Sequence, residues 1–501
     1  MKSPTLPLPT KRLLSWMHAR LMFPRAPPFF APHWYLQQYP DVARSGMNPW
    51  AHFHLHGRYE GRFAAGAHVD LWFDETIFEH VRQAYLSDRS RLKPLDREYL
   101  VWLMSRWYAL NEHWEEAVAI LQDADLDRHR EKRSPFAHLP ALLSADAFLR
   151  SGQLVAAERR VRWLEDNYPL RPDIALMRAN ILRPATGHAT DFSAWLAHIN
   201  RWYVGHGLLP MILREGDDPA LDRLVGESGR PVDGPLVSVL MAAYNAESTI
   251  GTALESLLAQ TYRNLEIIVV DDGSDDQTAA VIGAVAEKDP RVLLLRPLKP
   301  GGPYVARNHA LNRATGEFIT VHDADDWSHP QKIERQMSLL EQQSDLKGCF
   351  SNWVRATPDL VFGSWDSSES WLGWVHRNTS SLLCPREVFD VLGYWDETRC
   401  SSDGEFALRI EAAWGADALG YAMPQVPLAF GRAEATSLTR VADTHLLTKL
   451  KGLRKDYQRD YSRWHASANC VEDLYMPPAP RQRPFPVAEA MLPKRSTRQM
   501  D

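Results

Sequence analysis

The sequence predicts an α/β domain in the second half of the chain, with a mainly parallel sheet flanked by helices, preceded by an α-helical hairpin region. Two observations carry this. From Val237 to His322, short and nearly continuous apolar runs alternate with helical stretches, the pattern of strands covered on both faces. From residue 68 to 185, helical periodicity dominates and strand-like alternation is scarce. A length of 501 residues exceeds one typical domain and fits such a division.

Taken in order, residues 1–28 are rich in proline and basic groups and read as a basic tail. Lys11, Arg12, Arg20 and Arg25 surround Leu13, Trp16, Leu21 and Phe23, a pattern that suits peripheral membrane contact or, more plainly, a frayed leader. Residues 29–67 form a small aromatic-rich module, since so short a stretch builds a core only from large rings such as Trp34, Tyr35, Tyr39, Trp50 and Phe53. Residues 68–225 are expected to form helical hairpins. Asn111–Ala117 and Ser151–Ala157 each read as a break followed by a helix with a small packing residue. This looks tetratricopeptide-like, although the offset of 40 residues exceeds the usual repeat of about 34. Residues 226–235, with Gly226, Gly229, Pro231, Gly234 and Pro235, read as a linker.

The α/β domain spans residues 236–440. Val237–Met241 predicts a buried strand and Ser248–Gln260 a helix. Leu265–Val270 is a second strand that ends abruptly in Asp271-Asp272-Gly273-Ser274, followed by a helix to about Glu287. Val292–Leu295 is a third strand, Tyr304–Ala314 a helix, and Glu317–His322 a fourth strand. Residues 441–475 are expected to hold a C-terminal helix. Residues 476–501, with Pro477, Pro478, Pro480 and Pro484 among arginines, are expected to be disordered.

Composition excludes several classes. Hydrophobic residues make up 45% and charged residues 24%, as in ordinary soluble domains. A net charge of −6 argues against a nucleic-acid partner. Cys349, Cys384, Cys400 and Cys470 form no CxxC pair and suit a reducing cytoplasm better than a disulfide framework. No apolar run reaches the 18 residues expected of a membrane span, and Leu13–Met17 is too interrupted for a signal peptide.

Ligands on parallel sheets bind beyond the carboxyl ends of the strands, and acidic groups gather there in this chain. The fourth strand runs into Asp323-Ala324-Asp325-Asp326-Trp327. Three carboxylates so close repel one another unless a cation offsets them, and Mg²⁺ typically takes one or two carboxylates plus substrate phosphates. The plainer alternative is a helix cap by Asp326 or Ser328 before Pro330. Asp272 ends the second strand and has acceptors for a base imide or a ribose hydroxyl, or is a turn residue. Tyr244 follows the first strand and suits either base stacking or the core.

Together these strand ends resemble glycosyltransferase family 2, on the GT-A fold. The matching text is Val237–Asn245, Glu266–Ser274, Gly301–Asn308 and Gly316–Trp327. The resemblance implies that Tyr244 stacks on the nucleotide base, Asp272 hydrogen-bonds it, Asp323 contacts the ribose side, and Asp325 ligates a divalent metal (Mg²⁺ or Mn²⁺) bridging the diphosphate. Arg307 then supports the donor pocket, either on a phosphate or by a salt bridge to one of these carboxylates. Ala242 departs from the Pro or Thr usual beside the tyrosine. The family's general base maps to Asp403, at the start of a helix, with Ser402 in place of the usual Glu. Glu405 is the other candidate, and an N-cap role is the alternative for Asp403. Trp371 and Trp374 lie where family members shape the acceptor pocket and suit sugar stacking or the core.

Tyr35–Ala43, His52-Phe53 and Glu60-Gly61-Arg62 also resemble a module found beside bacterial surface-polysaccharide glycosyltransferases. His52, His54 and His56 suit packing or a metal. The expectation is a cytoplasmic, metal-dependent, inverting transferase. It uses a nucleotide-sugar donor of the UDP-sugar type and a glycan or lipid-linked acceptor, and its helical region binds partners or the acceptor. The first rival is an inactive sugar-nucleotide-binding scaffold, against which Asp323, Asp325 and Asp403 speak. The second is a nucleotidyltransferase, for which Ala242–Ser248 lacks the Gly-rich phosphate loop.

Overall fold

The computed structural model describes residues 30–53, 62–64, 74–88, 94–123, 138–184, 191–297, 299–363, 365, 373–434, 445–449, 451–480 and 482–493. The readings of residues 1–28, His54, His56 and Trp371 lie outside the described residues. The chain divides into two compact units, residues 1–181 with 364–373, and residues 182–363 with 374–501. Among the described residues no helix is long and apolar enough to cross a membrane.

The first unit is helical: α1 Pro32–Gln38, α2 Pro40–Ser45, α3 Pro49–His52, α4 Glu75–Asp88, α5 Pro94–Leu110, α6 Trp114–Asp123, α7 Leu139–Arg150, α8 Leu154–Asn167 and α9 Pro172–Leu182. The two breaks read from the sequence are equivalent hairpin turns. His113 N–H donates to Tyr108 O at 2.8 Å and Glu112 N–H to Ala109 O at 3.2 Å. Gln153 N–H donates to Phe148 O at 2.8 Å and Gly152 N–H to Leu149 O at 3.1 Å. This paired pattern closes a helix with one left-handed residue. Gly152 fills that position at φ 78°, and Glu112 fills it at φ 60°. Ala117 and Ala157, the small residues after each turn, are fully buried. The aromatic module joins this same unit. Phe53 packs edge-on against Tyr99 of α5 at 5.1 Å, and Ala64 N–H donates to Tyr99 Oη at 2.9 Å. His52 lies against Tyr35, whose hydroxyl is 3.0 Å from its Nδ1, which is a packing role.

The second unit begins earlier than expected. It contains α10 Ser193–Gly205 and the antiparallel pair β1 Met211–Leu213 and β2 Leu224–Gly226. Then follow β3 Val237–Ala243, α11 Ile250–Leu258, β4 Leu265–Asp271, α12 Thr278–Ala286, β5 Val292–Leu295, α13 Pro303–Leu311, β6 Phe318–Val321, β7 Trp327–Ser328, α14 Lys332–Gln342, β8 Gly348–Ala356, β9 His376–Arg377, β10 Leu383–Pro385, α15 Arg386–Leu392, α16 Ser402–Trp414, β11 Leu419–Arg432 and α17 Leu453–Ser467. The sheet order is β5-β4-β3-β6-β10-β8-β11-β7, with β9 on β8. Strands β5, β4, β3 and β6 are parallel, as predicted. The antiparallel placements of β10 and β7 follow from pairings between residues distant in sequence.

Residues 191–225 belong with this sheet and not with the helical hairpins. Tyr203 of α10 donates its hydroxyl to Pro427 O at 2.6 Å, and Trp195 stacks on Phe362 at 5.9 Å. The run 226–235 is packed as well. A Cβ on Gly226 would stand 1.8 Å from Pro330 Cγ, and one on Gly234 2.3 Å from Tyr262 Oη. Its glycines therefore serve close backbone approach, where a flexible linker was expected.

The segment expected to be disordered from residue 476 onward is instead folded as far as it is described. Met476, Phe485 and Met491 are buried, and the Phe485 ring stacks on Trp464 of α17 at 5.4 Å. Its prolines and arginines concealed three apolar anchors, each with a ready site on this unit's core.

Candidate functional site

Strand β3 lies between β4 and β6, with Ala243 opposite Asp271 and Leu240 opposite Val321. The residues that follow each strand therefore emerge along one edge of the sheet: Tyr244, Asp272 and Asp323. Tyr244 is 62% exposed, so it is not a core residue. The loop behind it is braced to the neighbouring one. Asn245 N–H donates to Ser274 Oγ at 2.9 Å, and Asn245 Oδ1 accepts from Asp275 N–H at 3.1 Å. Asn245 itself takes a left-handed conformation at φ 48°, which asparagine tolerates better than most residues.

Asp272 is buried and accepts Gly301 N–H at 2.8 Å and Gly302 N–H at 2.6 Å, one on each oxygen. Burial raises its carboxyl above the usual range, and the two amides pull it back down. It thus anchors the turn into α13, and each oxygen keeps a lone pair for a ligand. Arg307 of α13 is buried and donates from Nη2 to Asp323 Oδ1 at 2.5 Å. Arg307 thus makes a salt bridge to one of these carboxylates.

Asp325 and Asp326 complete the cluster. Burial and then the Asp323 carboxylate push Asp325 up to about 6, against Arg355 and Arg432, which lower it. Burial raises Asp326 well above the carboxylate range, and its Oδ1 accepts Arg432 N–H at 3.1 Å. Arg432 also donates from Nε to Asp325 O at 3.2 Å and is paired with Asp222. Asp326 is thus tied to β11 and is not a free ligand.

A buried relay supports the cluster from behind. Lys332 Nζ donates to Ser328 Oγ at 2.9 Å, and Ser328 Oγ lies 2.8 Å from His322 Nε2. His322 Nδ1 lies 2.8 Å from Asp323 O. Burial and Lys332 hold the imidazole well below its ordinary value, so it is neutral. The only consistent assignment has Ser328 donating to Nε2 and Nδ1–H donating to the carbonyl of Asp323. Burial lowers Lys332 to about 8, with Asp326 and Asp323 opposing.

Asp403 lies in the first turn of α16. Its Oδ1 accepts the Tyr304 hydroxyl at 2.9 Å and Gly404 N–H at 2.8 Å. Tyr304 also lies under the Arg307 guanidinium at 5.3 Å. A continuous path therefore runs from Asp403 through Tyr304 and Arg307 to Asp323. Glu405 is not available as a base. It is fully buried, accepts Arg409 Nη2 at 2.7 Å and Nε at 2.9 Å, and lies 2.9 Å from His465 Nε2. Replacing it by Gln leaves Arg409 buried without its counter-charge, and urea unfolding is expected to show a loss of about 3–5 kcal/mol. Trp374 is 1% exposed and belongs to the core, not to a sugar platform.

Several contributing residues were not singled out from sequence. Tyr304 stands three positions before Arg307 on the same helix face, which is the one local signal that links them. Lys332, Arg432 and Asp222 carry no local signal, since what defines them is contact across the fold.

Among the described residues, no three His, Cys, Asp or Glu side chains converge as a ready metal cage. The chemistry of the donor set nonetheless fits a hard divalent cation. Asp325 is a carboxylate crowded by Asp323 and Asp326, which leaves remaining ligands to come from phosphates and water.

Residues 238–372 match the family model described as Glycosyl transferase family 2. An uncharacterized glycosyltransferase of Haemophilus influenzae is 40% identical over 108 residues, which is 22% of this chain and 43% of the relative. The Escherichia coli protein UDP-Glc:alpha-D-GlcNAc-diphosphoundecaprenol beta-1,3-glucosyltransferase WfaP is 41% identical over 158 residues, 32% of this chain and 62% of the relative. A crystal structure of S. aureus TarS 1-349 in complex with UDP-GlcNAc aligns at 17% identity with a TM-score of 0.36, over 47% of this chain and 68% of that one. The chain covers less than two thirds of each of the two curated relatives. The segment that carries Tyr244, Asp272, Arg307, Asp323 and Asp325 at and beside its parallel strand ends is thus the part of the chain that is similar to glycosyltransferase family 2.

Proposed function

We propose that the chain is a metal-dependent, inverting glycosyltransferase that moves a sugar from a UDP-sugar to a hydroxyl of a glycan or lipid-linked acceptor. The observation that carries this is the convergence of Tyr244, Asp272, Asp323 and Asp325 along one sheet edge inside the family segment. Tyr244 offers an exposed ring to the base and Asp272 its spare lone pairs to the base or ribose. Asp323, oriented by Arg307 and by His322, faces the ribose side. Asp325 would hold the cation, which supplies charge stabilisation for the departing diphosphate. Asp403 takes the proton of the acceptor hydroxyl as its oxygen forms the bond to the anomeric carbon. The diphosphate leaves from the opposite face with the bonding pair, which inverts the centre.

The name of the WfaP relative supports UDP-glucose as donor and a diphosphoundecaprenol-linked acceptor, which suits work at the inner face of the cytoplasmic membrane. The helical unit binds acceptor or a partner protein in this reading, and its exposed Leu154, Val155 and Leu170 supply apolar surface.

A thermal-shift series of UDP-glucose, UDP-GlcNAc and GDP-mannose with Mn²⁺ tests the reading. A donor at a hundred times its Kd stabilises by about 2.7 kcal/mol, so a UDP-sugar is expected to raise Tm by several degrees. A chain indifferent to every nucleotide sugar contradicts the reading.

The raised carboxyl of Asp325 adds a pH dependence. Below about 6 it holds a proton in the folded chain. A cation must displace that proton, so Mn²⁺ affinity in the presence of UDP is expected to fall about tenfold per pH unit below about 6 and to level off above. Calorimetry from pH 5 to pH 8 checks this; an affinity flat across the range removes Asp325 from the metal site. Without metal the sign reverses. A carboxyl raised on folding stabilises the folded chain at low pH, and that contribution is lost as pH rises through about 6.

A further inference from the structure

The C-terminal segment grips the loop that leads to Asp403. Met476 N–H donates to Leu392 O at 2.9 Å, and Met476 O accepts Tyr394 N–H at 2.9 Å. Further along, Arg399 N–H donates to Met491 O at 2.7 Å. Between these anchors, Arg483 Nε donates to Asp396 Oδ1 at 2.8 Å, and its Nη2 donates to Glu397 O at 3.2 Å.

Asp396 is the joint of this arrangement. It is fully buried, and its second carboxylate oxygen accepts the Tyr457 hydroxyl of α17 at 3.2 Å. Its backbone oxygen accepts the Ser402 hydroxyl at 2.7 Å. Ser402 Oγ also lies 2.7 Å from Thr398 Oγ1 and 3.2 Å from the Tyr457 hydroxyl. Ser402 is the residue immediately before Asp403, so the bonds of its hydroxyl to Asp396 O, Thr398 and Tyr457 tie the start of α16 to this loop. Burial drives the Asp396 carboxyl upward, the neighbouring Glu405 adds to this, and Arg483 and Tyr457 oppose it. A buried carboxylate without its cation either takes a proton or moves toward water. Either change loosens the bonds that Asp396 makes.

We propose that Arg483 is a positioning residue for the reaction. Carried in by the C-terminal segment, it holds Asp396, and through Ser402 it sets the register of Asp403 against the acceptor. This rests on the reading of Asp403 as the general base. Arg483 bonds Asp396 and Glu397, while Tyr244, Asp272, Asp323 and Asp325 hang from other elements. The signature is therefore a loss in kcat without a loss in donor affinity.

The test uses the full chain, UDP-glucose and Mn²⁺, with UDP release read in wild type, D403N, R483M, R483K, D396N and R483M/D396N. A displacement of about 1 Å at a reacting group costs on the order of 100-fold, so R483M is expected to lower kcat by about 10- to 100-fold. KM for UDP-glucose stays within about twofold, and R483K recovers most of the loss. The double variant is no slower than the worse single one, because both remove the same link. If R483M does not melt cooperatively, the isosteric D396N carries the same expectation. Wild-type kcat in R483M or D396N, a raised KM at unchanged kcat, or losses that multiply in the double variant overturn the proposal. The controls separate the two readings. A wild type that releases no UDP, or an undiminished D403N, removes the underlying function. An active wild type with a dead D403N and a full-speed R483M removes only the role of Arg483.

Discussion

Asp325→Asn is expected to lower Mn²⁺-dependent UDP release from UDP-glucose by about 10²- to 10³-fold, the scale of several kcal/mol of charge stabilisation. Asn keeps the shape but not the charge, so in the proposed reading the cation would lose the Asp325 carboxylate as a ligand. The same variant is expected to melt no lower than wild type without metal. In the wild type burial first, and then the Asp323 carboxylate, raise the Asp325 carboxyl. Removing a charge that burial and a like neighbour disfavour does not cost folding stability. Activity and Tm thus move independently, and a paired measurement of both distinguishes a lost ligand from a damaged fold. Activity retained in Asp325→Asn removes Asp325 from the metal site; a helix cap is no alternative for the cluster, since α14 begins at Lys332 with Gln331 at its N-cap.

Asp403→Asn is expected to lower kcat by about 10²- to 10⁴-fold, the range for a lost general base. KM for UDP-glucose should stay close to wild type, since Asp403 lies on α16 and not on the strand ends that carry the donor-side residues. The Asn oxygen can still accept the Tyr304 hydroxyl, which spans 2.9 Å to Asp403 in the wild type. The fold around the site therefore survives. Glu405 does not substitute for Asp403, because it is held by Arg409 and His465 and faces no solvent. A steady-state pair of kcat and KM decides the matter, and equal losses in kcat and donor affinity would mean that the residue binds the donor.

The strand ends that gather Tyr244, Asp272 and Asp323 were legible because they are written locally. Val237–Met241, Leu265–Val270 and Val292–Leu295 are apolar runs whose ends can be read without a partner, and a parallel sheet places all such ends on one edge. The hairpin breaks at Asn111 and Ser151 were legible for the same reason. What escaped depends on contact across the chain. The strand Leu419–Arg432 is long but interrupted by register shifts between Ala422 and Ala429, so no clean alternation marks it. The glycines at 226, 229 and 234 read as a flexible linker because composition alone does not distinguish freedom from close approach. The C-terminal segment read as disorder because its apolar anchors Met476, Phe485 and Met491 are sparse among prolines and arginines. The choice between Asp403 and Glu405 is invisible in sequence. It turns on Arg409 one helical turn later and on His465, which lies on a separate helix.

The acidic cluster that sequence presents as three like charges is also divided by the fold. Asp323 is paired with Arg307, Asp326 is tied to the Arg432 backbone, and among the described residues the Asp325 carboxylate has no ion pair, Arg355 and Arg432 acting on it only through their charge. That division leaves Asp325 as the residue with most to gain from a cation.

Isothermal calorimetry of the full chain with UDP-glucose, first with Mn²⁺ and then with EDTA, is the most direct test of a metal-dependent donor site at the ends of β3, β4 and β6. Single-site binding with Mn²⁺ that is lost in EDTA and in Asp325→Asn is the predicted result. Binding undiminished by EDTA and by Asp325→Asn, or no binding under any of these conditions, would contradict it.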